Sequence, residues 1–136
     1  MSQLVCREIE ESELTAYDEM ARNSGVIFAQ RSWLELLGGQ TTLLGLFDGS
    51  SHLQGIFPIR VVRRLGLKAL LRPPATPYCG PYFSEQILNS RSALQSCRFF
   101  LNGICDYIAA KRPAVCCLTF DPAVSDALPF RWNRYK

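Results

Sequence analysis

The sequence predicts an α/β domain of the α+β kind, with a mainly antiparallel sheet and helices packed on it. Three observations carry this. From Thr41 onward, apolar runs are punctuated by tight-turn signals, as in an antiparallel meander. Two short helical periodicities precede the meander and one long one follows it. Between the meander and the long helix lies RPPATPYCGPYF, Arg72 to Phe83, with four of the chain's eight prolines in twelve residues.

Taken in order, LVCREI (Leu4 to Ile9) alternates as a short first strand. Glu10, Glu11 and Glu13 then place acids in the first turn of a helix, where they complement its dipole. Leu14, Tyr17, Met20 and Ala21 recur at helical spacing as its buried stripe, and Asn23, Ser24 and Gly25 end it. In IFAQRSWLELLGG, Ser32 is a candidate N-cap; Trp33, Leu36 and Leu37 form the apolar face, and Gly38 with Gly39 closes the second helix. Trp33 reads either as a ligand platform or as a core anchor, and the usual burial of tryptophan favours the anchor.

TTLLGLFD and HLQGIFPIRVVRR are strands joined by a turn that begins Asp48-Gly49. Pro58 cannot donate to a ladder, so its N–H side is expected at an edge or a bulge. RLGLK turns into a third strand, KALLR. The arm from Arg72 to Phe83 is expected to be stiff and extended, neither helix nor central strand, because proline fixes φ and restricts the residue before it. It reads as the lip of a cleft or as a crossover packed on the core. From Ser90 to Lys111, Leu94, Cys97, Leu101, Ile104 and Ile108 mark the longest helix, widened by Phe100, Cys105 and Tyr107 and weakened at Asn102 and Gly103. AVCCLTF (Ala114 to Phe120) is expected as a fully buried strand. The expected order is therefore β-α-α-β-β-β-α-β in a single domain over residues 1–136. The closing PFRWNRYK reads as an unfinished element.

Composition narrows the function classes. The chain is 48% hydrophobic and 20% charged, as folded domains are. Residues 1–25 hold six acids against two arginines, net −4, so the remainder carries +7, a mild attraction for anionic ligands. The start has no signal-peptide pattern and no run reaches the ~20 apolar residues of a membrane span, which predicts a cytoplasmic chain. Six cysteines without CxxC spacing and a single histidine read as reduced thiols and no metal site.

Few residues point to chemistry by themselves. His52 is a general base only with a partner and a cleft, and a hairpin histidine is more often solvated. Cys79 reads as a small hydrophobe, since no base or helix N-terminus is evident to lower its pKa. Arg60, Arg63, Arg64, Lys68 and Arg72 make one basic run without an acid, either a phosphate contact or a solvated hairpin end. Asp121 ends a strand, where ligand clefts of α/β sheets open.

The succession FAQRSWLELLG, then Gly55 to Pro58 as G-x-x-P in a strand pair, then Pro73 to Phe83 as P-x-x-x-P-Y-x-G-P-x-F, resembles the N-terminal half of FemAB-like proteins of the GNAT acyltransferase superfamily. The resemblance implies acyl or aminoacyl transfer to an amine acceptor, in the best-known members a peptidoglycan precursor. The donor would be acyl-CoA or aminoacyl-tRNA. It implies that Tyr78, Gly80 and Tyr82 line the acceptor cleft and that Arg60 and Arg72 meet phosphate of donor or acceptor. The family's R/Q-x-x-G-x-G/A pyrophosphate loop is absent, and PFRWNRYK resembles the point where family chains continue into their second half. Two expectations follow: an incomplete N-acyltransferase, or a non-catalytic GNAT-like module that completes its sheet as a homodimer.

Overall fold

The computed structural model describes residues 3–36, 40–124 and 129–130. Its elements are β1 (Val5–Glu8), α1 (Leu14–Asn23), α2 (Arg31–Leu36), β2 (Thr41–Phe47), β3 (Leu53–Arg64), β4 (Leu67–Leu71), β5 (Tyr82–Phe83), α3 (Glu85–Leu88), α4 (Ala93–Lys111) and β6 (Val115–Cys117). The strands form one sheet in the order β1-β2-β3-β4-β6, antiparallel except for the β4–β6 pair. The expected order is present, with a short strand and a short helix added between the meander and the long helix.

Both predicted turns close the meander. In the first, Asp48 Oδ1 accepts the N–H groups of Ser50 and His52 at 2.9 and 3.0 Å, which stabilises a turn longer than two residues. The second places Leu65 (φ 52°) and Gly66 (φ 75°) at its tip, the twist that two-residue hairpins require.

Paired residues share a face, so the registers sort the core into two layers. On one face Leu44, Leu46, Phe57, Ile59 and Leu70 meet Phe100, Leu101, Ile104 and Ile108 of α4. Phe100 is fully buried there, and its truncation to alanine would cost ~3–5 kcal/mol. On the other face Ile56 and Tyr82 meet Tyr17 and Ala21 of α1 and Ala29. Because Tyr17 is buried its phenol needs a partner, and it donates to the Ala29 carbonyl at 2.6 Å.

Several expectations are corrected. AVCCLTF is not a buried strand: β6 is three residues long, exposed throughout, and is the outermost strand of the sheet among the described residues. Continuous apolarity there reflects edge position and the packing of Leu118 and Phe120 against the α4 layer. In α2 the buried residue is Leu34, while Leu36 is 77% exposed. In α4 Leu94 is 55% exposed, because the helix begins at Ala93 and its first turn overhangs the sheet. The arm is not extended throughout, since it turns at Pro74 and Ala75 (φ 52°), and its last two residues form a strand, β5, that pairs with Ile56 and Gly55. The two registers on that edge of β3 leave residues 57–59 unpaired there, so Pro58 sits where no ladder bond is asked of it. Leu37 to Gly39 and Arg131 to Lys136, including most of the closing PFRWNRYK, lie outside the described residues.

A candidate acceptor site under the proline arm

The arm is an excursion from a strand. β4 and β5 both run antiparallel to β3 on the same edge, one after the other, so Arg72 to Pro81 leaves the line of β4 and returns to it as β5. Hydrogen bonds fasten both ends to the end of β6 and the segment after it. The N–H of Arg72 donates to Cys117 O at 3.0 Å, that of Cys79 to Thr119 O at 2.8 Å, and that of Asp121 to Gly80 O at 2.7 Å. The parallel seam is thus held at both ends of the excursion.

Between those fastenings the arm folds toward α2. Trp33 Nε1–H donates to Thr76 Oγ1 at 3.2 Å, and the buried Thr76 hydroxyl donates to Pro74 O at 3.1 Å. Phe28 meets Trp33 and Tyr78 edge to face at centroid distances of 5.4 and 6.1 Å. Trp33 therefore anchors the arm, half-buried, by its ring and its N–H together. Thr119 Oγ1 holds the Pro77 carbonyl at 2.8 Å from the other side.

The sequence-predicted residues occupy distinct places. Tyr78 is half-buried against Phe28. Gly80 is buried with φ at +104°, beside a cis bond to Pro81, and a Cβ there would press on Tyr82 at 3.0 Å. No residue but glycine suits that position. Tyr82 is 7% exposed, and its hydroxyl has no hydrogen-bond partner among the described residues. Burial, followed by the nearby Asp121 carboxylate, Tyr78 and Cys79, holds its phenol protonated well above the usual tyrosine range. Arg60 is half-buried on the same sheet face, four positions along β3 from Ile56, the residue that pairs with Tyr82, and its Nε also lacks a partner. Arg72 stands apart from this group, exposed at the start of the arm and 3.5 Å from the Pro77 carbonyl.

Other candidates separate from the site. His52 has a side chain 76% exposed at the hairpin tip, 3.6 Å from Asp48. Burial pushes the Cys79 thiol up to about 11, so at neutral pH it is no thiolate nucleophile. Among the described residues no group of three or more His, Cys, Asp or Glu is placed to hold a metal ion. Among the described residues no helix is long and apolar enough to cross a membrane. Sequence reasoning missed Thr76 and Phe28 as the arm's anchors; the only signal for Thr76 is a polar residue enclosed by prolines, which does not name its partner.

The group that converges is therefore Tyr78, Gly80, Tyr82 and Asp121, with Arg60 farther along the same face. It offers a protonated hydroxyl donor, a carboxylate, a guanidinium and aromatic walls, an arrangement suited to binding a polar molecule that carries both an amine and an anionic group.

No family model matches the sequence, and no curated protein does. Among solved structures the fold is that of GNAT-type N-acetyltransferases. A ribosomal-protein-alanine N-acetyltransferase from Brucella melitensis is similar at a TM-score of 0.60 and 9% identity, over 98% of this chain and 92% of that one. An aminoglycoside antibiotic 6′-N-acetyltransferase from Acinetobacter baumannii is similar at 0.51 and 8%, over 98% and 91%. A probable N-acyltransferase from Enterococcus faecalis is similar at 0.54 and 11%, over 97% of this chain but 32% of that one.

Proposed function

We propose that this chain is an N-acyltransferase domain of the GNAT fold whose amine acceptor binds under the proline arm. The observation that carries the reading is the Tyr82 hydroxyl, buried and without a hydrogen-bond partner among the described residues. An unmade buried hydrogen bond is costly, and such groups persist where a ligand or reacting atom completes them.

Acyl transfer asks little covalent chemistry of the protein. The neutral amine nitrogen bonds to the acyl carbon, the bond from that carbon to the donor's sulfur or oxygen breaks, and the departing group takes up a proton. Charge develops on the carbonyl oxygen and then on the leaving atom. A phenol kept protonated by burial can donate to either, and donors of this kind contribute about 10²-fold in rate. Asp121, whose Oδ1 is fixed by the Ala123 N–H at 2.8 Å, supplies the negative charge that draws an amine to this end. Rigid fastening of the arm contributes positioning.

The donor must reach the site over the sheet face, since Asp121 N–H and Gly80 O close the parallel seam beside it. Acyl-CoA and aminoacyl-tRNA are the donor classes we propose, with a peptidoglycan-type precursor among the acceptors, as in FemAB-like enzymes. The closed seam favours a second reading, in which the domain binds acceptor without transferring an acyl group. Incubation with labelled acyl-CoA or charged tRNA and a panel of amines separates the two. Amine-dependent label transfer is the expected result; acceptor binding without any transfer would select the binding module.

A further inference from the structure

Resting on that reading of the site, the structure points further, to the class of acceptor. Among the described residues two buried side-chain atoms lack a partner, Tyr82 Oη and Arg60 Nε, and both are placed to donate. They lie on one face of the sheet: Tyr82 pairs with Ile56, and Arg60 follows four residues along β3, about 13 Å away at the rise of a strand. This bounds a stretch of sheet face four strand residues long, shared between the two side chains and whatever binds between them. No carboxylate forms an ion pair with Arg60 among the described residues, although Arg7 holds one and Arg31 two. A half-buried guanidinium left in this state favours an anion brought by a ligand, in the forked geometry that arginine prefers.

We propose that the acceptor is a carboxylate-bearing primary amine, its anionic group held by Arg60 and its nitrogen lying toward Tyr82 and Asp121. A single cation at this place matches a monoanion. A phosphate dianion would leave a partly buried charge unneutralised, since Arg63 and Arg64 are exposed at the hairpin end. The site then reads both ends of one molecule: acid facing amine, and guanidinium facing carboxylate. An acceptor lacking the carboxylate would leave the Arg60 donor unmade, the situation in which polar sites discriminate most strongly.

The test compares 6-aminohexanoate, its neutral analogue 6-aminohexanamide and an aminoalkyl phosphate as ligands of the full chain, with binding read by calorimetry and acyl transfer measured separately. The carboxylate is expected to bind at least tenfold more tightly than the amide. Arg60→Gln is expected to abolish the preference, and Arg60→Lys, which keeps the charge but loses the fork, to retain only part of it. Equal binding of carboxylate and amide by the wild-type chain overturns the inference, as does a preference for the phosphate, or no binding of any of the three. The wild-type comparison stands even if a variant fails to fold. Selective carboxylate binding without acylation would leave this inference standing and remove the acyltransferase reading.

Discussion

At the scale of single residues, Tyr82 separates function from folding. Its phenol is buried yet has no partner among the described residues, so removing the oxygen while keeping the ring relieves an unmet polar group. Tyr82→Phe is expected to leave stability unchanged or raise it by up to ~1 kcal/mol in chemical denaturation. Gly80→Ala is expected to act in the opposite way, costing ~1–3 kcal/mol, because an L residue at φ +104° is strained and its Cβ meets Tyr82. Charge at the surface makes a smaller contribution. Arg7 grips Glu13 through two hydrogen bonds of 2.6 and 2.8 Å, and together with the Glu10 N–H this holds the Glu13 carboxyl down at about 2. A carboxyl whose folded pKa is depressed binds its proton more readily when unfolded. The bridge therefore contributes fully above the ordinary glutamate range, and its contribution is lost as pH falls toward about 2. Glu13→Gln should flatten the stability–pH curve in that window by less than ~1 kcal/mol, since the pair is partly solvated.

At the scale of elements, the arm and α4 show what patterns in the chain do and do not reveal. Proline density, with a glycine among aromatic residues, marks an unusual segment, and its rigidity is legible because φ restriction is local. Its destination is not, since Thr76 meets Trp33 across 43 positions of sequence and only the fold brings them together. Trp33→Phe keeps the ring contact with Phe28 but loses the N–H bond; it should cost ~1 kcal/mol and loosen the arm, read as faster amide exchange at Cys79. In α4, Gly103 reads from propensity as a weak point. A Cβ at this position would instead collide with the side chain of Cys6 on β1, so glycine allows helix and strand to approach closely. Gly103→Ala, ordinarily stabilising in a helix by ~1 kcal/mol, is expected here to destabilise by ~1–3 kcal/mol in thermal unfolding. Edge position escapes pattern reading for a similar reason: Val115 to Cys117 are apolar enough for an interior strand, and whether another strand lies beyond them is not a local property.

At the scale of the whole molecule, the meander and the long helix after the arm were legible, because turn chemistry and periodicity specify elements, whereas the parallel pairing of the last strand with β4 was not, since it depends on where the chain returns to the sheet. The site was legible only in part. Tyr78, Gly80 and Tyr82 lie close in sequence and converge, whereas Arg60 joins their face through sheet register, and Asp121 arrives from the far end of the chain. Under the binding-module reading, the exposed outer edge of β6 predicts concentration-dependent dimerisation, seen as a doubled mass in light scattering; a strictly monomeric folded chain would count against that reading. The central claim is that the unpartnered Tyr82 hydroxyl serves acyl transfer to an amine. Its most direct test is the amine-dependent transfer rate of Tyr82→Phe beside wild type, with unfolding measured on the same samples. A loss of about 10²-fold in rate at unchanged stability is predicted; equal rates, or a loss explained by unfolding, would contradict the claim.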